Sequence, residues 1–148
     1  MKEINNARRK GEAFPHCAAA KPQGELFMIK TCGLTHLHLV VKDIQRSLDF
    51  YQKVFGMEVR FWAGDGLVFL NTPGSNDLIA LHEAEEDQPT GSSGGILHFG
   101  FQLDKKADLE SAISEVIAAG GALKKRGEFT PGMPFAYVSD PDGYEIEL

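Results

Sequence analysis

Cysteine is almost missing from this chain. Cys17 and Cys32 are the only two in 148 residues, too few for the disulfide framework that staples small secreted domains. A reducing, cytoplasmic setting is therefore the expectation. No apolar run approaches the roughly 18 residues that a membrane-spanning helix needs. Arg8-Arg9-Lys10 is followed by no apolar core, so a secretory signal is not expected either. Basic residues are in deficit: 15 Lys and Arg stand against 21 Asp and Glu, a net charge of −6. That balance argues against nucleic acid or an anionic membrane as the main partner. The Gly-rich stretch 91–95 lacks a following Lys-Ser/Thr pair and is no phosphate loop. Cys32 has no base partner near it in sequence and reads as an inert thiol.

With 43% hydrophobic and 24% charged residues, the composition is that of an ordinary globular protein. The length fits one compact domain, or two small modules sharing a sheet. Residues 1–28 show no sustained periodicity and read as a flexible N-terminal extension, with the folded domain spanning 29–148. Alternation predicts a strand over 34–41. Asp43 is a good N-cap and Gly56 a good C-terminal cap for a helix over 44–55, with Ile44, Leu48, Tyr51 and Phe55 as its buried stripe. Strands over 58–63, 67–71 and 78–83 follow, separated by Gly- and Pro-bearing turns. The polar stretch 85–95 is a linker.

Beyond it the pattern starts again. A strand over 96–103 leads to a helix over 106–119, with Leu109, Ala112, Ile113, Val116 and Ile117 on one face and Gly120-Gly121 at its end. Strands over 122–125, 135–139 and 144–148 complete the second half. The chain is thus an internal repeat, with module one at about 34–84 and module two at 96–148. The repeat pairs His36 with His98, Phe69 with Tyr137 and Ala80 with Glu147.

Strand alternation then decides which groups share a face. Leu37, Leu39 and Val41 form one face of the first strand, with His36 and His38 on the other. Leu97, Phe99, Phe101 and Leu103 likewise oppose His98, Gly100 and Gln102. In the last strand Tyr144, Ile146 and Leu148 oppose Glu145 and Glu147. Asp140-Pro141-Asp142-Gly143 is the turn that feeds it. Two imidazoles and one carboxylate on the faces turned from the core are the set that binds a divalent metal facially and leaves positions open for substrate. His36, His98 and Glu147 are therefore the candidate metal ligands. His38 shares the His36 face and is a candidate for facing substrate, and His82 shares parity with Ala80 at a strand end. Tyr137 is a candidate proton donor or substrate anchor. Phe61, Phe69, Phe99 and Phe101 read as core or cavity wall, and Trp62 as cavity lining or dimer surface.

Taken together, His36…Asp43…Leu48-Asp49-Phe50-Tyr51…Phe55-Gly56, His98…Asp104 and Asp140-Pro141-Asp142-Gly143…Ile146-Glu147-Leu148 resemble the vicinal oxygen chelate superfamily. This group includes glyoxalase I, fosfomycin- and bleomycin-resistance proteins, methylmalonyl-CoA epimerase and extradiol dioxygenases. The resemblance covers 34–148. It implies an α+β fold of two βαβββ modules forming a metal-binding cup, with the ligand positions at His36, Ala80, His98 and Glu147. Ala80 departs from glyoxalase I, which has a fourth ligand there; three ligands are the arrangement of extradiol dioxygenases and fosfomycin-resistance proteins. Tyr137 matches a tyrosine those enzymes turn towards substrate, whereas their acid–base histidine falls near Asp77. The expectation is a metal-dependent enzyme for a small substrate with vicinal oxygens, extradiol-dioxygenase-like. Fe(II) is favoured as its ion, with Ni, Zn, Mn or Co as alternatives, and a homodimer is its expected form. A glyoxalase-like lyase, isomerase or epimerase, or a bleomycin-resistance-type binding protein without catalysis, are the competing readings.

Overall fold

The computed structural model describes residues 34–91, 95–103 and 109–148. The expected extension 1–28 with Cys17, the thiol Cys32, the middle of the linker, Asp104 and the first turn of the second helix lie outside the described residues. The elements run β1 (Leu37–Val41), α1 (Ile44–Phe55), β2 (Glu58–Trp62), β3 (Leu67–Asn71), β4 (Ile79–Glu83), β5 (Phe99–Gly100), α2 (Leu109–Ala118), β6 (Ala122–Thr130), β7 (Met133–Ser139) and β8 (Glu145–Glu147).

Each half is β-α-β-β-β, as the repeat requires. The two four-stranded sheets have matching orders, β1-β4-β3-β2 and β5-β8-β7-β6. In each, the first strand runs parallel to the last and the remaining pairs are antiparallel. Register confirms the repeat residue by residue: Phe69 lies opposite Ala80, and Tyr137 opposite Glu147.

The N-terminus of α1 is set by Asp43, whose backbone is extended and whose side chain accepts from the Arg46 N–H, satisfying one of the helix's orphan donors. It ends at Gly56, in the left-handed region at φ 62°, where a side chain would be strained. Ile44, Leu48, Phe50 and Tyr51 are buried from α1, and Leu109, Ile113 and Val116 from α2. They share one core with Leu39 and Val41 of β1, Val68 and Leu70 of β3, Val138 of β7 and Ile146 of β8.

The Asp-Pro-Asp-Gly turn does more than reverse the chain. Asp140 accepts the Tyr51 hydroxyl from α1 and two backbone N–H groups, of Asp142 and Tyr144, at 2.9–3.0 Å. Asp142 has no exposed side-chain surface and accepts from the Lys42 N–H at 2.9 Å, the Arg46 guanidinium at 2.6 Å and the Ser47 hydroxyl at 2.6 Å. The Tyr144 hydroxyl bonds both the N–H and the carbonyl of Val40 on β1. Three residues of module two are thus bonded to α1, the residue that precedes its cap and the first strand of module one. Reading the turn as a turn gives no hint of these contacts.

Four expectations need correction. The strand expected over 96–103 is reduced to Phe99–Gly100, because it pairs only with β8 and that strand is itself three residues long. Leu97 is 75% exposed rather than on the core face. Ile117 is 53% exposed, since the buried stripe of α2 follows Leu109, Ile113 and Val116. β6 runs on to Thr130 because β7 pairs with it as far as Met133.

Two predictions test this packing. At Gly121, which joins α2 to β6, an added Cβ would meet Ser139 O at 2.3 Å, Val116 Cγ1 at 2.7 Å and Phe50 Cε2 at 3.1 Å. With backbone as one of the neighbours, Gly121→Ala is expected to destabilise by about 2–3 kcal/mol, read as a lowered urea midpoint. The second concerns Asp140. Burial, the largest influence, raises its pKa to about 6 despite its hydrogen bonds. A carboxyl raised in the native state favours folding below its unfolded pKa near 4, and that contribution is lost as pH rises through 6. The loss amounts to about 3 kcal/mol. In Asp140→Asn the amide oxygen still accepts both backbone N–H groups. Its stability is therefore expected to lack the decline between pH 4 and 6 that wild type shows in urea unfolding at stepped pH.

Candidate metal centre

Module two brings two of the three expected ligands together. His98 Nε2 lies 2.9 Å from Glu147 Oε2. His98 stands just before β5 and Glu147 ends β8, the two strands being parallel neighbours with Gly100 opposite Glu147. Both side chains are about one-third exposed or less. Two donor atoms bound to one ion at about 2.0–2.2 Å and at a right angle stand roughly 3 Å apart, so this spacing fits adjacent ligands of a single divalent ion. His98 Nδ1 is buried with no hydrogen-bond partner among the described residues. The ring is therefore held only through Nε2, the nitrogen that meets the carboxylate.

The Tyr137 ring stands 5.0 Å from that of His98. Its hydroxyl is held above the ordinary phenol value, first by desolvation, then by the Glu147 charge and a hydrogen bond to that carboxylate. The group is accordingly a neutral donor at physiological pH. Phe135 lies 5.2 Å further along and stacks on Phe129 at 4.3 Å.

Module one places His36, His38 and His82 in a row. Ring centroids are 6.4 Å apart for His36 and His38, and 5.4 Å for His38 and His82. His36 bonds the Thr35 hydroxyl at 2.9 Å and meets the edge of Phe69, which stacks on Phe61 at 4.5 Å. The His38 pKa is lowered, first by burial and then by the neighbouring His82 and His36, which keeps it a neutral imidazole. Ala80, at the fourth ligand position, is fully buried and offers no donor atom. A cavity of about 180 Å³ at the module junction is lined by His38 and His98 with Leu39, Phe99 and Tyr144.

Among the described residues of one chain no three ligating side chains cluster tightly enough to hold an ion. His98 and Glu147 meet; His36 does not join them. Asp77 is tied to Thr72 through its backbone N–H and hydroxyl and serves a turn. The Phe61–Phe69 stack and the direct approach of Tyr137 to His98 have no sequence signal beyond strand parity.

Repetition of one β-α-β-β-β unit, with imidazoles at repeat-equivalent places and a carboxylate in the second module where the first has Ala80, defines a paired-module α+β scaffold. Residues 33–148 match the Glyoxalase/Bleomycin resistance protein/Dioxygenase superfamily, and the chain belongs to it. The chain is 30% identical over 119 residues to a trivalent organoarsenical cleaving enzyme from Bacillus sp. (strain MD1), covering 76% of this chain and 70% of the relative. It is also 30% identical over 125 residues to a lactoylglutathione lyase from Escherichia coli O157:H7, covering 78% of this chain and 90% of that one. Among solved structures, the fosfomycin resistance protein FosX from Listeria monocytogenes superposes with a TM-score of 0.65 at 24% identity, over 82% of this chain and 93% of that one. That similarity supports the fold.

Proposed function

We propose that the protein is a divalent-metal-dependent enzyme for a small substrate with two vicinal oxygens, extradiol-dioxygenase-like in its ligand set, and that it acts as a homodimer. The observation that carries this reading is the His98–Glu147 pair at 2.9 Å with Ala80 at the repeat-equivalent fourth position. His36 is the third ligand. A divalent ion held by these residues, Fe(II) in the first instance, would act as a Lewis acid on the substrate's paired oxygens. Tyr137 donates a hydrogen bond to a substrate oxygen beside His98. His38 is a neutral imidazole facing the same cavity as His98 and able to take a proton from substrate. The Phe61–Phe69 and Phe129–Phe135 stacks favour a partly apolar molecule.

Surfaces left bare in one chain support the dimer reading. β2 and β6 are edge strands exposed along their whole length. Phe61 and Trp62 on β2, and Phe129 on β6, are 44%, 45% and 53% exposed. Uncovered apolar edges of this kind call for a partner. A second copy would also let His36 of one chain complete the His98–Glu147 pair of the other.

The competing reading is a glyoxalase-like lyase or isomerase, supported by the likeness to a lactoylglutathione lyase over 90% of that relative. Ala80 weighs against it.

Metal content by mass spectrometry on untagged protein is the test. Wild type is expected to carry about one transition-metal ion per chain and His98→Ala about none. Iron would direct assays to oxygen uptake with catechols, and nickel or zinc to lyase and isomerase substrates. Wild type that is metal-free and takes up no added Fe(II), Ni(II), Zn(II) or Mn(II) would sink the enzyme reading in favour of a binding protein. Tyr137→Phe is expected to keep its metal and lose about 10²-fold in kcat. Light scattering is expected to give twice the chain mass.

A further inference from the structure

The three histidines of module one exceed what the proposed centre uses. His82 is needed by neither the ligand set nor the fold. It stands at the end of β4, exposed, two residues past Ala80 on the same face. Its Cα partner across the parallel β1–β4 pair is Val40, two residues beyond His38 and on the same face by strand alternation, just as Ala80 is the partner of His38. His38 and His82 are therefore diagonal neighbours on one face, and their ring centroids are 5.4 Å apart with a 43° tilt between planes.

That separation has a chemical meaning. An imidazole nitrogen binds a first-row divalent ion at about 2.0–2.1 Å, which places each ring centre roughly 3 Å from the ion and two adjacent rings about 5 Å from each other. His38 and His82 match this spacing without rearrangement of the strands. His36 lies further off, 6.4 Å from His38, and is engaged with Thr35. No hydrogen bond ties either ring of the pair to another group among the described residues, so both keep nitrogen lone pairs available. Among the described residues no third ligating side chain clusters with them, and Ala80 stands beside His38.

We propose that His38 and His82 form a second divalent-metal site with a donor set distinct from the His98–Glu147 pair; an ion there takes the His38 nitrogen out of proton transfer in the cavity it shares with His98. Its donors are two imidazole nitrogens, which select borderline ions, Cu(II), Ni(II) or Zn(II), over Mg(II) or Ca(II). Two protein ligands leave the remaining positions to water or to an anionic ligand. The ion is therefore held more weakly than one bound by three or four side chains, and exchanges readily. Parallel pairing is what creates the site: β1 and β4 lie 38 residues or more apart in sequence (Val41 to Ile79), and only their register sets the two rings side by side.

The test is Cu(II) titration of the full, untagged, chelator-stripped chain, followed by electron paramagnetic resonance. In His98→Ala, which removes the first centre, one Cu(II) per chain with two imidazole nitrogens is expected to remain. His82→Ala in that background is expected to weaken this binding by at least about tenfold, as is His82→Gln, which keeps the side-chain length. His82 is exposed, and circular dichroism checks that the fold survives in each variant. Unchanged Cu(II) affinity in both His82 variants would overturn the proposal. So would loss of all Cu(II) in His98→Ala alone. A wild type that binds a single ion, kept in His98→Ala and lost in His82→Ala, would uphold this site while removing the first.

Discussion

The fold depends on one turn. Asp140, Asp142 and Tyr144 belong to the second module, yet their polar atoms are spent on the first: Tyr51 and Ser47 of α1, Arg46, the Lys42 N–H and the edge of β1 at Val40. A carboxylate with no exposed surface, such as Asp142, is tolerable only when its oxygens are fully bonded. The Lys42 N–H, the Arg46 guanidinium and the Ser47 hydroxyl meet that condition. The consequence is positional. The turn leads directly into β8, so anchoring it on module one also fixes where Glu147 stands. The metal-binding candidate is thus held by the same contacts that join the modules.

The candidate site has two unequal halves because the two modules differ at one repeat-equivalent position. Ala80 and Glu147 occupy the same place in their sheets, opposite Phe69 and Tyr137. In module two the place holds a carboxylate beside an imidazole and a phenol. In module one it holds a methyl group, with a phenylalanine pair beside it and a row of imidazoles running past it. One half supplies charge and hydrogen bonds. The other supplies an aromatic wall and nitrogen donors.

Exposed edges complete the account. β2 and β6 close neither sheet, and Phe61, Trp62 and Phe129 stand on them half in water. Strand edges of that character are unusual on a chain that works alone, and they flank the two sheets whose faces carry the histidines and Glu147.

Much was written in local sequence. Asp43 and Gly56 mark the ends of α1 because capping acts over three or four residues, and Leu67–Asn71 follows from a short apolar run between turn-forming residues. The repeat made His36, His98 and Glu147 candidates, since period-two parity assigns a face without any knowledge of the partner strand. Tertiary structure decided what parity cannot reach. It shortened β5, because a strand's length is set by the strand it pairs with. It turned Ile117 and Leu97 to solvent, because an apolar residue is buried only where another element covers it. It brought His98 against Glu147 and His38 against His82, contacts made across parallel strands far apart in the chain. It also left His36 outside the pair, since convergence of three side chains is a property of how sheets are placed, and no local pattern encodes it.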